Sequence, residues 1–387
     1  MRALSQLAER LPRSGIREIM EVAQGVEGVV HLEVGEPSFI TPDHVIDAAA
    51  AAAHAGQTRY TANAGIPALR EAVAARCAAR WGQPAQADEV LVGAGAVNAI
   101  VAMLLTVAED GDEILVPDPG WPNYRSQIML ARGVAVPYPL RPERGYLPDP
   151  AELDRLLTPR TKVVITNNPG NPTGAVWSGE AVAALMAWAR ARDLWVIADE
   201  IYEDLIFDGE FTPAAPFARE RTIAIGGCSK SYAMTGWRIG WAVAPRELVA
   251  PAGKIQEALV SCPSNVSQCA AVAALTGSQA CVAEMRAAYH RRRDLVRDLL
   301  EPAGLLPNVP RGAFYALVDL RATGMSSVDA ARRLIQEERV ATAPGSTFGD
   351  LAEGMVRVSL ASSDEDLQTG CERLLRFAER HAAAAVV

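Results

Sequence analysis

The chain predicts an α/β fold built on a mostly parallel sheet, because short, continuously apolar runs alternate with amphipathic helical stretches through its middle. Near Met285 this alternation stops; long charged helices then flank two short strands and predict an α+β second domain. No internal repeat, polar linker or low-complexity segment interrupts the 387 residues, a length suited to two domains.

Six runs read as strands: Val90–Val92, Glu113–Val116, Val163–Thr166, Leu194–Ala198, Thr222–Ile225 and Gly240–Ala244. Each is rich in β-branched residues and bounded by Gly, Pro, Asn or Asp, the pattern of strands covered on both faces. Between them lie helical stretches such as 179–192, whose Val182, Leu185, Met186 and Ala189 share one face. Beyond Met285 the expected helices are 284–300, 327–338 and 364–384, and the strands are 313–319 and 355–360. In such a fold ligands are expected where strands end and helices begin.

Half of the residues are apolar, about a fifth are charged, and the net charge of −9 is spread along the chain. No clustered basic face offers itself to a phosphate backbone, so nucleic acid is not an expected partner. No apolar run reaches the roughly 18 residues that span a bilayer. The first twenty residues mix charges with leucines and do not read as a secretory signal. Six cysteines without a CxxC pair and five scattered histidines predict reduced thiols, a cytoplasmic location and no metal.

The basic residues are more informative. Of 37, only Lys162, Lys230 and Lys254 are lysines. A lysine kept in so arginine-rich a chain suggests an amine that must lose its proton, which a guanidinium does not do. Lys162 opens a strand and Lys254 lies on an amphipathic helix, both ordinary solvated places. Lys230 sits in a turn of small residues, Gly227-Cys228-Ser229-Lys230-Ser231, where an amine can be desolvated and act as a nucleophile toward an aldehyde.

Three further segments carry chemistry. The octet Asn167-Asn168-Pro169-Gly170-Asn171-Pro172-Thr173-Gly174 follows a strand and forms a fixed, non-helical turn. The next strand ends in Asp199-Glu200-Ile201-Tyr202, and an aspartate at the exit of a buried strand needs a compensating partner. After Lys230 the chain continues Met234-Thr235-Gly236-Trp237-Arg238-Ile239-Gly240.

In this order the segments resemble the class I/II aminotransferases, fold type I enzymes that use pyridoxal 5′-phosphate (PLP), and most closely their bacterial aspartate aminotransferase subgroup. The likeness extends over nearly the whole chain. It includes Leu32-Glu33-Val34-Gly35-Glu36-Pro37, Tyr60-Thr61, Arg311-Gly312-Ala313-Phe314-Tyr315, Pro344-Gly345-Ser346 and Arg357-Val358-Ser359. The resemblance implies a large domain over 46–284 with a mostly parallel seven-stranded sheet. It also implies a smaller α+β domain from 1–45 and 285–387, and a cytoplasmic homodimer with shared sites. The implied reaction moves the amino group of an L-amino acid to a 2-oxo acid by a ping-pong route.

Carried over residue by residue, the resemblance makes Lys230 the partner of the PLP aldehyde in a Schiff base, and afterwards the base that moves the substrate proton. Asp199 would hold the ring nitrogen protonated, so that the ring accepts electrons. Asn171 and Tyr202 would bond the ring's 3-oxygen, and Trp121 would stack on the ring. Gly95, Ala96 and Val97 at a helix start, with Ser229 and Arg238, would hold the phosphate. Tyr60 would reach in from the neighbouring subunit. Arg357 would grip the substrate α-carboxylate, assisted by Asn171 and the Gly35 backbone.

Two positions depart from that pattern. Gly227 stands where many relatives carry a phosphate-binding serine, and Val97 stands where some carry a lysine for a distal carboxylate; Arg13 or Arg17 could substitute for the latter. The glycines Gly93-Ala94-Gly95-Ala96-Val97-Asn98 fail as a dinucleotide fingerprint, since Asn98 replaces the third glycine. The rival activity is another PLP reaction on the same fold, a C–S β-lyase or a cyclopropane-forming synthase, because a fold does not fix its reaction. A non-enzymatic rival, the PLP-binding effector domain of a transcription regulator, would require a DNA-binding domain ahead of Leu32.

Overall fold

The computed structural model describes residues 4–384; the outermost parts of the expected small domain, 1–3 and 385–387, lie outside the described residues. A seven-stranded sheet is formed by β1 (Val90–Gly93), β2 (Glu113–Asp118), β3 (Val134–Pro139), β4 (Thr161–Asn167), β5 (Trp195–Asp199), β6 (Thr222–Gly227) and β7 (Gly240–Val243). Their spatial order is β1-β7-β6-β5-β4-β2-β3. Strands β3, β2, β4, β5 and β6 run parallel; β7 is antiparallel to both its neighbours.

Helices cover both faces of this sheet. On one, Ala96–Val107 and Arg246–Val260 pack against Leu91, Ile114, Ile165 and Ile197; on the other, Gly179–Ala191 covers Leu115, Val164 and Val196. Dry packing on both sides is why these strands are apolar throughout and not alternating. Each fully buried Ile or Val contributes about 1.5–3 kcal/mol.

The strand of this seven-stranded sheet missing from the sequence expectations is β3; the two-residue strands Val30–His31, Val340–Ala341 and Ala343–Pro344 outside it are likewise absent from them. Strand β3 carries Pro137 and Pro139, pairs only with β2, and is partly exposed along its length. Proline cannot donate to a ladder, so such a segment reads as loop and is tolerated only at a sheet edge.

A second sheet of three antiparallel strands holds β8 (Tyr315–Asp319), β9 (Ala343–Pro344) and β10 (Met355–Ser359), in the order β9-β10-β8. The expected helix 327–338 is interrupted: α-helix covers Ser327–Arg333, and a π-type turn, Leu334–Glu338, ends at Arg339 in the left-handed region. The wider turn leaves Leu334 and Ile335 in the core while Glu338 pairs with Arg376 and Arg380.

The N-terminal segment crosses to this second sheet. Val30–His31 pairs in parallel with Val340–Ala341, and the Ser359 amide donates to Leu32 O at 2.8 Å. Ile19, Ala23, Val30 and Leu32 therefore share one apolar cluster with Tyr289, Leu334, Val356 and Phe377. This docking carries Ile16 and the Val34-Gly35-Glu36 stretch to the carboxyl ends of the large sheet's strands, where the functional site lies.

Candidate active site

The parallel strands end on a single cavity of about 370 Å³. Strand β4 delivers Asn167 and Asn171, β5 delivers Asp199, Ile201 and Tyr202, and the turn after β6 delivers Ser229 and Lys230. Trp121 and Tyr124 follow β2, Ala96 and Val97 follow β1, and Tyr315 and Arg357 come from the second sheet. Gly35 and Arg238 complete the set of expected residues found here.

The octet is held by its own side chains. Asn167 Oδ1 accepts from the Asn171 amide at 2.8 Å, and Asn168 Oδ1 accepts from the Trp177 amide at 2.9 Å. Asn167 Nδ2 also donates to Asp199 O at 3.1 Å, fixing the ends of β4 and β5 side by side. Asn171 is thereby presented to Arg357, whose Nη1 donates to its Oδ1 at 3.2 Å.

Asp199 is 3% exposed. Its partners are the Tyr124 hydroxyl, 2.5 Å from Oδ2, and the Ile201 amide, 3.2 Å from Oδ1. Burial pushes its carboxyl up to about 6, while the Tyr124 bond, the Ile201 amide and Lys230 pull the other way. Tyr124, three residues after Trp121 at the start of helix Asn123–Leu130, went unnoticed in the sequence. Only its spacing from Trp121, one helical turn, hinted that the two face the same space.

The Lys230 Nζ donates to Gly35 O at 2.9 Å and lies 5.7 Å from the Phe314 ring centre. Burial first, and then the positive charge of Arg357, lower its amine to about 8. A measurable fraction is thus neutral near pH 7, as a nucleophilic amine requires.

Arg357 is 1% exposed, although it stands in the middle of β10. Its Nη2 donates to Glu33 O at 2.5 Å, its guanidinium lies 4.4 Å from the Tyr315 ring centre, and its buried Nε has no partner. A buried donor without an acceptor is costly unless a ligand supplies one. Tyr315, noticed in the sequence only as part of a motif, also shares a 2.9 Å hydrogen bond with the Tyr202 hydroxyl.

The end of the cavity beside Arg238 is shaped by glycine. Gly95 has φ +83°, and a Cβ there would lie 2.7 Å from Arg238 Nη2. At Gly240, in β7, a side chain would collide with the Ala96 amide. Ala96 and Val97, the first two residues of helix Ala96–Val107, line the cavity beside Arg238, and a helix start with an arginine is an arrangement that attracts an anion. Arg238 itself is held at φ +55°, which a non-glycine residue adopts only under constraint. Gly227 also has a packing reason: a Cβ there would lie 2.9 Å from Ile201 Cδ1 and 3.1 Å from Gly240 Cα.

Three expected residues lie elsewhere. Tyr60 is 89% exposed and lines a separate surface hollow with Arg59 and Cys262. Arg13 is exposed and pairs with Glu21 at 2.9 Å, and Arg17 is exposed; Ile16, between them, is the residue that reaches the cavity wall. Among the described residues there is no group of three or more His, Cys, Asp or Glu able to hold a metal, and no single helix is long and apolar enough to cross a membrane.

A mostly parallel seven-stranded sheet with this site at its carboxyl edge defines the fold type I class of PLP-dependent enzymes. The donor set suits that cofactor: an amine, a buried carboxylate, an aromatic wall and a helix start with an arginine. Within that class the chain belongs to the family described as aminotransferase class I and II, which it matches over residues 27–374. It is 39% identical to an aspartate/prephenate aminotransferase of Thermus thermophilus, over 98% of this chain and all of that one. It is 37% identical to an aromatic-amino-acid aminotransferase of Thermococcus litoralis, over 96% and 97% of the two chains. The solved aspartate aminotransferase of Thermus thermophilus with maleate superposes with a TM-score of 0.93 at 38% identity, covering 97% of this chain and 100% of that one. The protein is an enzyme that transfers amino groups between amino acids and 2-oxo acids with PLP; the lyase and synthase alternatives find no support among these relatives.

Proposed function

We propose that amino transfer takes place in this cavity, with Lys230 as the residue that binds the cofactor and moves the substrate proton. The observation that carries the reading is the placement of a lysine amine, lowered to about 8, in one cavity with the buried Asp199 and the buried Arg357. Bound there, PLP supplies an aldehyde that takes up the amino group and a ring that accepts the electron pair from Cα.

The chain's own residues do the rest. Asp199, as a carboxylate, holds a proton on the ring nitrogen, and Tyr124 holds Asp199. Asn171 and Tyr202 position the ring oxygen, and Trp121 covers the ring. Ala96, Val97, Ser229 and Arg238 neutralise the phosphate, with Gly95 allowing the approach. Arg357, backed by Asn171, fixes the α-carboxylate so that the Cα proton faces Lys230, which carries it to the cofactor carbon. Both half-reactions use the same cavity.

The reading includes a division into a large part, 46–284, and a small one, 1–45 with 285–387; the apolar cluster joining Ile19 and Leu32 to Tyr289 and Phe377 supports it. It also includes a homodimer, supported by the exposed Tyr60, and a cytoplasmic location, supported by six free thiols.

Borohydride reduction of the PLP-loaded protein, followed by peptide mapping, tests the assignment. The cofactor mass is expected on the peptide holding Lys230; attachment at Lys162 or Lys254, or none, overturns it. Light scattering is expected to give twice the 41.2 kDa chain mass.

A further inference from the structure

We infer that Asp118 is a positioning residue for the α-carboxylate clamp: it ties the loop after β9 to the end of β2, and so holds the Phe348 ring against the Arg357 guanidinium. The inference rests on the proposed function, since it uses the role given there to Arg357.

Asp118 closes β2, three residues before Trp121, and is 5% exposed. A carboxylate withdrawn from water needs donors. Here they come from far along the chain: the Asp350 amide donates to Oδ2 at 3.1 Å, and the Leu351 amide to Oδ1 at 3.2 Å. Arg125, 3.6 Å from Oδ2, offsets the charge. A further bond joins the same two segments, from the Gly120 amide to Phe348 O at 2.8 Å. Gly349 lets them meet. Its φ is +141°, and a Cβ there would collide with Asp118 Oδ1.

The residue clasped in this way is Phe348, itself buried, with Arg357 Cζ lying over its ring at 4.8 Å from the centre. The polar partners of Arg357 are neutral oxygens, Asn171 Oδ1 and Glu33 O, so the rings of Phe348 and Tyr315 share in orienting its charge. Tyr315 belongs to β8, which pairs with β10, and is therefore fixed relative to Arg357. Phe348 stands on a loop. Before it, the Ser346 amide donates to Ser327 Oγ at 3.1 Å; beyond it, Asp118 holds the next turn. Without Asp118 the ring is tethered from one side. Asp118 and Phe348 are buried within a single chain, so a neighbouring subunit that reaches the cavity does not replace this support.

Steady-state kinetics of the PLP-loaded enzyme test the inference, with L-alanine, L-leucine, L-phenylalanine and L-aspartate as donors. Asp118→Asn keeps the shape of the side chain and turns a donor toward one of the two amides. It is expected to raise KM for the best of these donors about tenfold, to change kcat less than twofold, and to leave reaction with the decarboxylated amine of that donor unaltered. Phe348→Leu is expected to do the same, and the double variant to exceed either single one by no more than about twofold, because both changes remove one contact. A KM within twofold of wild type, equal losses for amino acid and amine, or multiplying effects in the double variant overturn the clasp and leave amino transfer standing. Transfer from none of the four donors by the wild type overturns the proposed function and the clasp with it.

Discussion

The hydroxyl of Tyr124 donates a 2.5 Å hydrogen bond to Oδ2 of Asp199, with both side chains buried beneath the cavity. Because Tyr124 favours the carboxylate form, its removal raises the pH at which Asp199 takes up a proton. Tyr124→Phe is expected to lower kcat about tenfold at pH 7 and to move the acidic limb of the pH profile upward. An unchanged limb would show that Asp199 does not depend on this bond.

Asp199 also has a cost to the cofactor-free fold. Its carboxyl titrates at about 6, above an unfolded aspartate, so protonation favours the folded state. That contribution is complete below about pH 4 and lost as the pH rises through 6. It amounts to about 3 kcal/mol at most, the free energy separating an ordinary aspartate from one titrating at 6. Cofactor-free Asp199→Asn is expected to unfold at higher temperature than wild type at pH 8, with the difference vanishing at pH 4.

Lys230 and Arg357 are electrostatically linked. With the amine near 8, the rate of cofactor uptake is expected to rise about tenfold from pH 7 to pH 9 and then level off. Arg357→Ala removes a positive charge that lowers Lys230, so the midpoint is expected to move upward. The same variant is expected to raise KM for amino acids about 10²-fold, and to leave reaction with the corresponding amines, which lack the carboxylate, nearly unchanged. Stopped-flow absorbance and steady-state rates measure these effects.

Gly227 tests whether a departure from the family pattern is forced. A side chain there crowds Ile201 and Gly240, so Gly227→Ser is expected to destabilise the fold by about 1–3 kcal/mol without tightening PLP binding. Tighter binding with unchanged melting temperature would reject the packing explanation.

The sequence alone determined the alternation of strands and helices, the octet, the Asp199 and Lys230 segments and their order, and through these the family. Local pattern suffices there, because a strand covered on both faces must be apolar and a turn of fixed shape needs its Pro, Gly and Asn. The tertiary structure decided the edge strand β3, whose prolines hide it, and the break in the helix after Arg333. It also decided the company that side chains keep: Tyr124 under Asp199, Tyr315 against Tyr202, and Ile16, not Arg13 or Arg17, at the wall. Those relationships join residues tens to hundreds of positions apart. Burial, and with it the shifted acidities of Asp199 and Lys230, exists only once distant segments have excluded water together.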